Sequence, residues 1–103
     1  MMINKKNMIL NELEITKKIK EAKKFQKLGN FKEAENVYAG ALRNNENSFD
    51  LIFSYALFSK DLKNFVFAKK LLVNLTKKFP LKIRPYIVIS DILITENLSL
   101  IHI

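Results

Sequence analysis

Few residues in this chain have the types and spacing that catalysis or metal binding requires. The single histidine, His102, lies in a terminal segment that we interpret below as foreign to the fold, so we assign it no role as a base or ligand. The closest carboxylate pairs are Glu12 with Glu14 and Glu33 with Glu35. Because residues two apart on a helix point to different sides, neither pair can share a proton or a metal ion.

Motifs for nucleophilic and phosphate chemistry are also missing from the sequence. There is no Cys, so the chain has neither a disulfide framework nor a thiolate that could attack a substrate. No Gly-rich loop of the kind that cradles phosphates occurs, and no nucleophile motif is found. We therefore expect no enzyme activity, no metal site and no cofactor in these residues.

The elements that must position any functional residue repeat at a spacing of 34 residues. The shift places small residues on small ones, large apolar residues on large apolar ones, and a turn Asn on a turn Asn. The aligned pairs include Ala22 with Ala56, Leu28 with Leu62, Asn30 with Asn64, Phe31 with Phe65, Ala34 with Ala68 and Tyr38 with Leu72. A period of this length is typical of an antiparallel helix-pair solenoid, an all-α fold whose repeats form binding surfaces. We expect five helices in about two and a half repeats.

Hydrophobic residues at steps of three and four predict where the five helices lie. The predicted ranges are 11–28, 31–44, 48–60, 65–78 and 85–95. Gly29 suits the left-handed backbone conformation after the first helix, and Asn30 is expected to cap the second helix with its side chain. Pro80 is expected to end the fourth helix, because proline cannot continue the hydrogen-bond ladder.

The same periodicity predicts which side chains are buried. In the fourth helix these are Ala68, Leu71, Leu72 and Leu75. In the fifth helix, whose first turn suits Pro85, they are Tyr86, Ile89, Ile92 and Leu93. The alanines shared by both units are expected where paired helices cross closely, since only small side chains fit there.

These elements predict five segments along the chain. They are a flexible leader over residues 1–10, a first helix-pair repeat over 11–47, a second repeat over 48–81, the first helix of a truncated third repeat over 82–97, and a tail over 98–103. The tail sequence, LSLIHI, is the translation of CTGTCTCTTATACACATC, the transposase mosaic end carried by tagmentation libraries. We interpret it as derived from a sequencing adapter, with the natural frame continuing past Asn97. The alternative is a genuine apolar tail that packs on the fifth helix.

The turn motifs carry a resemblance to a known family. Residues 29–34, with the sequence GNFKEA, and the later NFVFA of residues 64–68 are similar to the Gly-aromatic-x-x-Ala signature of tetratricopeptide repeats. The resemblance covers about residues 15–95. Lys18, Glu46 and Lys63 depart from the family pattern, since they replace a bulky residue, the closing Pro and the turn Gly.

The resemblance implies that partner segments lie along a concave groove formed by the first helix of each repeat. The groove positions would be Ile19, Lys23, Gln26, Phe53, Leu57, Lys60, Arg84, Ile87, Asp91 and Ile94. Ile19, Phe53 and Ile87 would form an apolar row, with Lys23 and Arg84 available for acidic groups at the rim. The alternative is that Phe53 and Leu57 pack against neighbouring helices. The last helix, left without a partner helix, would be a possible self-association face.

The net charge of +8 invites a nucleic-acid partner, but we disfavour one. The basic residues are 16 Lys and only 2 Arg, whereas Arg is preferred for base readout and bidentate phosphate contacts. The excess of Lys, Asn and Ile is what AT-rich codons supply. A nucleic-acid-binding repeat remains a third hypothesis after two others. The first is a scaffold that binds a protein segment, and the second is the N-terminal array of an enzyme such as a glycosyl- or sulfotransferase, with catalysis elsewhere.

No signal for secretion or membrane insertion is visible in the sequence. The apolar stretch after Lys5 and Lys6 is interrupted by Asn11 and Glu12, which does not suit a signal peptide. No run approaches the roughly 18 apolar residues of a membrane-spanning helix. We expect a cytoplasmic protein with no membrane partner.

Overall fold

The structure, a computed structural model, describes the backbone of residues 2–101 and the side chains of residues 12–98. This part of the chain contains five helices and no strands, which confirms the all-helical prediction. The helices are α1 (Met2–Lys27), α2 (Phe31–Asn44), α3 (Phe49–Asp61), α4 (Phe65–Lys78) and α5 (Arg84–Ile101). The solenoid arrangement of the repeats stays a prediction.

The central helix boundaries agree with the sequence, and the outer ones do not. Helices α2 and α4 begin and end at the predicted residues, and α3 is shifted by one residue. Helix α1 begins at Met2, so the segment predicted as a leader forms its first turns. Helix α5 continues to Ile101 through most of the predicted tail, while residues 102 and 103 lie outside the described residues. Residues 2–28 contain no Pro or Gly, and neither do residues 86–101. No such residue therefore stops α1 or α5 at the predicted bounds.

The chain divides into two compact units, residues 1–51 and 52–103. In the first unit α1 packs against α2, and in the second α4 packs against α5. The division falls inside α3, a few residues after the predicted boundary between the repeats. The second unit also includes α5, which the sequence assigned to a third repeat.

The turn between α1 and α2 closes α1 with two backbone hydrogen bonds. Gly29, at φ 80°, donates its N–H to the carbonyl of Gln26 at 3.1 Å. The N–H of Asn30 donates to the carbonyl of Phe25 at 2.9 Å. This pair of bonds defines a Schellman motif, in which the residue after the helix takes the left-handed conformation. The prediction for Gly29 is therefore confirmed.

The turn between α3 and α4 has the same hydrogen bonds with a different residue at its centre. Lys63 takes the left-handed conformation at φ 64° and donates its N–H to the carbonyl of Lys60 at 2.8 Å. The N–H of Asn64 donates to the carbonyl of Ser59 at 2.9 Å. The two turns, which lie 34 residues apart in the sequence, therefore have the same backbone conformation, even though a Lys stands where the first turn has Gly.

Helices α2 and α4 also start alike. Asn30 and Asn64 have φ and ψ of −87° and 69°, and of −85° and 72°, respectively. The side chain of Asn64 accepts a hydrogen bond from the N–H of Phe67 at 3.4 Å, but the side chain of Asn30 makes no cap hydrogen bond. The predicted side-chain cap by Asn30 is therefore wrong. The backbone angles of the two Asn residues agree within a few degrees, although only Asn64 caps its helix with its side chain.

The small residues predicted to lie at close helix crossings are buried in both units. Ala22 and Ala34 of the first unit are fully buried, as are Ala56 and Ala68 of the second. Large side chains fill the space beside them, including Tyr38, which is 1% exposed. All four residues predicted to be buried in α4 are buried. Any larger side chain at these alanines would overpack the core.

Helix α3 is buried on nearly every side. The buried side chains are Leu51, Ile52, Phe53, Tyr55, Ala56, Phe58 and Ser59. The Tyr55 ring contacts Phe67 of α4 edge-on, with 5.2 Å between centroids. A helix that is apolar all round is typically an interior helix, and the composition of α3 fits that role.

Helix α5 buries only one face. Pro85, which lies in the first turn as predicted, and Ile92 are buried. Glu96, on the same face, forms a salt bridge of 2.9 Å to Lys69 of α4. The predicted burial of Tyr86 and Leu93 is wrong, since they are 44% and 47% exposed. Helix α5 therefore leaves large apolar side chains on its surface.

Within the described part of the chain, no helix combines the length and the apolar character that crossing a membrane requires.

Candidate functional site

The ten predicted groove residues lie on three helices. Ile19, Lys23 and Gln26 follow one side of α1 at steps of four and three, with Lys23 exposed and the other two half-buried. The remaining seven belong to the second unit, on α3 and α5. That the α1 residues share one surface with the other seven stays a prediction.

The structure brings two of the predicted residues together in one contact. The guanidinium carbon of Arg84 lies 4.7 Å from the centroid of the Phe53 ring, which is the geometry of a cation–π interaction. Phe53 is only 5% exposed, so its ring is part of the interior and not a free docking side chain. Leu57 and Lys60, on the same helix, are half-buried. The sequence named Phe53 and Arg84 as site residues but gave no indication that they touch.

The exposed apolar residues of the predicted site lie on α5. Ile87 is 53% exposed and Ile94 is 58% exposed, with the exposed carboxylate of Asp91 between them. Leu98 is 51% exposed and lies on the same side of the helix, since Asp91, Ile94 and Leu98 follow Ile87 by four, seven and eleven residues. We call these four residues the groove face of α5. Leu98 was missed because it was assigned to the tail, although its spacing from Ile87 would have found it.

A solvent-open cleft between α1 and α2 was not predicted from the sequence. It has a volume of about 420 Å³ and includes Glu14, Ile15 and Lys18 of α1 with Asn36, Gly40 and Asn44 of α2 among its lining residues. The position of Lys18 in the repeat corresponds to Ile52 in the second unit, where the side chain is 1% exposed. In the first unit, the exposed Lys18 and the side-chain-free Gly40 line the open cleft.

Among the described residues, no three His, Cys, Asp or Glu side chains are grouped closely enough to hold a metal ion. His102 lies outside the described residues. The candidate site consists of the groove face of α5 and of Arg84, which lies over the Phe53 ring.

Comparison of the chain with models of known families, with the curated proteins and with solved structures finds no match. The repeat assignment rests on the internal register of the chain itself.

Proposed function

We propose that this chain is a tetratricopeptide-type scaffold that binds a segment of another protein along its groove residues. The observation that carries the proposal is the row of large apolar side chains on the groove face of α5. Ile87 and Ile94 are each more than half exposed, although burying either one would be favourable by about 1.5–3 kcal/mol. Leu98 continues the row but lies in the segment that we interpret as adapter-derived. Exposed apolar rows of this kind are typical of binding surfaces.

The equivalence of the two turns supports the repeat assignment. Two left-handed residues 34 positions apart, Gly29 and Lys63, close their helices with matching hydrogen bonds. The helices that follow have the same length and the same buried alanines, Ala34 and Ala68. Repeats of this type present one helix of each pair to a ligand, and in the proposed arrangement α5 is such a helix.

The charges beside the groove face indicate the chemistry of the segment. Apolar side chains at spacings of four and seven fit the exposed isoleucines, as in helices that dock into apolar grooves. Arg84, held over the Phe53 ring, presents its guanidinium edge at one end, where a carboxylate of the segment would bind it bidentately. Asp91 lies in the middle of the face and would pair with a basic residue.

Peptide selection tests this proposal. Peptides selected from a random phage-displayed library on the full chain should bind it in isothermal titration calorimetry. Ile87→Glu or Ile94→Glu should weaken that binding at least tenfold, because each places a charge on the apolar row. Val66→Glu is the matched control, since Val66 is 77% exposed, lies on α4 and is not a groove-face residue. Phe53→Ala is unsuitable, because emptying its buried site would destabilise the fold by about 3–5 kcal/mol.

Binding that survives both isoleucine substitutions, or that Val66→Glu weakens equally, would show that the groove face is not the binding surface. Circular dichroism of each variant separates loss of binding from loss of folding.

A further inference from the structure

A second exposed face of α5 is distinct from the groove face. It consists of Tyr86 and the residues four, seven and eleven positions later, which are Ser90, Leu93 and Asn97. All four are exposed, Tyr86 by 44% and Leu93 by 47%. We call these four residues the uncovered face. Each precedes a groove-face residue by one position, so the two faces are turned about 100° from each other around the helix.

Comparison with the residues 34 positions earlier, in α3, indicates that a face of this kind packs against other parts of a protein. Shifted by 34 residues, Tyr86 corresponds to Ile52, Ser90 to Ala56 and Leu93 to Ser59. Those three α3 residues are 1%, 0% and 3% exposed. The same positions are thus interior in α3 and open in α5, where they form a face of mixed polarity with the small Ser90 near its centre.

We propose that the uncovered face pairs with the same face of a second copy of this chain, with the two α5 helices antiparallel. In this pairing Ser90 of each copy lies opposite Leu93 of the other, so a small side chain faces a large one at both central positions. Such small-to-large contacts let helices approach closely and interdigitate. The contact is isologous and closes as a dimer, because the same patch is used on both copies.

The polar ends of the uncovered face complement each other in the same register. When Ser90 faces Leu93, Tyr86 of each copy faces Asn97 of the other. The Tyr86 hydroxyl donates its proton to the carbonyl of Pro80 at 3.2 Å, so its oxygen can still accept a hydrogen bond. The side-chain amide of Asn97 supplies the matching donor. The face is therefore complementary to itself when reversed, which favours a second copy over an unrelated helix.

The charges along α5 favour the antiparallel direction. Lys82 and Arg84 flank the N-terminal end of α5, whereas Glu96, although paired with Lys69, lies towards its C-terminal end. The first turn contains no acidic residue and the last turn no basic one, which is the unfavourable arrangement for the dipole of a single helix. An antiparallel pair places the positive end of each helix beside the negative end of the other. A parallel pair would instead bring like charges together.

The association state of the full chain tests the pairing. Sedimentation equilibrium over a range of concentrations should show a monomer–dimer equilibrium. Leu93→Arg should raise the dissociation constant more than tenfold, because it places a cation at the centre of the contact. Asp91→Arg on the groove face is the matched control, and it should leave the dissociation constant nearly unchanged.

A double-mutant cycle tests the polar contact. Asn97→Ala and Tyr86→Phe should each raise the dissociation constant about five- to tenfold, since either one removes both symmetry-related hydrogen bonds. The double variant should be little weaker than either single one, because the two residues share the same bonds. Additive effects would show that Tyr86 and Asn97 do not meet across the contact.

Disulfide trapping tests whether the two α5 helices are antiparallel. The natural chain has no Cys, so an introduced Cys can pair only with another introduced Cys. Ser90→Cys and Leu93→Cys chains, one carrying a tag that changes its mass, are mixed and oxidised. The antiparallel pair predicts that the mixed disulfide predominates, because these positions face each other within bonding distance. Predominance of the two homodimeric disulfides would indicate a parallel pair and would overturn the proposed arrangement.

A chain that stays monomeric at all concentrations would leave the uncovered face to a helix of another protein and would overturn the proposal. So would a dimer that Asp91→Arg disrupts more than Leu93→Arg, or assembly beyond a dimer, since an isologous contact closes at two copies. The test is independent of the proposed function, because the substitutions that break the dimer leave the groove face intact and peptide binding is measured separately.

Discussion

The left-handed backbone of Lys63 allows the effect of one substitution on stability to be worked out from the structure. A non-Gly residue at φ 64° is disfavoured by about 1–2 kcal/mol relative to the right-handed conformation. Lys63→Gly removes that steric penalty but loses about 0.5–1 kcal/mol through the greater freedom of glycine in the unfolded chain. The net expectation is a gain of about 0.5–1 kcal/mol in the free energy of unfolding.

The equivalent turn gives the reverse test. Gly29→Ala places a Cβ where no neighbouring heavy atom lies within 4 Å, so its effect comes from the backbone conformation alone. We expect a loss of about 0.5–1 kcal/mol by the same two terms with opposite signs. Gly40→Ala is the control, because Gly40 lies within α2 and the added Cβ meets only the Arg43 side chain at 3.8 Å. There alanine should gain about 0.5–1 kcal/mol through helix propensity.

Urea unfolding followed by far-ultraviolet circular dichroism measures all three variants. Lys63→Gly and Gly40→Ala should unfold at higher urea concentration than the natural chain, and Gly29→Ala at lower. The slope of each transition should not change, since the buried area is the same. A lower midpoint for Lys63→Gly would refute the left-handed assignment of Lys63, and an unchanged midpoint for Gly29→Ala would refute the equivalence of the two turns.

Two further substitutions test the start of α4 and the crossing of its unit. Asn64→Ala should lower the free energy of unfolding by about 0.5–1 kcal/mol, whereas Asn30→Ala should change it by less, because only Asn64 caps its helix with a side chain. Equal losses in urea unfolding would contradict that difference. Ala68→Leu should cost about 1–3 kcal/mol by overpacking a fully buried site, seen as a lower thermal midpoint, and an unchanged midpoint would show that the crossing has room.

The parts of the fold that were predictable are those with a local cause. The bounds of α2 and α4 followed from turn residues and from apolar spacing, both of which act within a few positions of the chain. The buried residues of α4 followed from the same spacing. The left-handed conformation of Lys63 was not predictable from residue type, but the alignment of Lys63 with Gly29 marked the position.

The parts that were not predictable depend on what lies beside each helix. Apolar spacing shows that a face of α5 is suited to burial, but not whether another helix covers it, so Tyr86 and Leu93 were placed inside. The stacking of Arg84 on Phe53 likewise depends on how two helices approach each other. The predicted site residues from Arg84 to Ile94 lie within α5, and their role as a binding site and their common surface with the α1 residues remain predictions.

The position of α3 has a consequence for how cooperatively the chain folds. The division between the two compact units falls between Leu51 and Ile52, inside a continuous helix and not in a linker. Hydrogen bonds from each N–H to the carbonyl four residues earlier therefore cross the division. Neither unit can open completely without fraying the helix that belongs to both. Helix α3 thus contributes residues to both units, and we expect opening of either one to loosen its backbone hydrogen bonds.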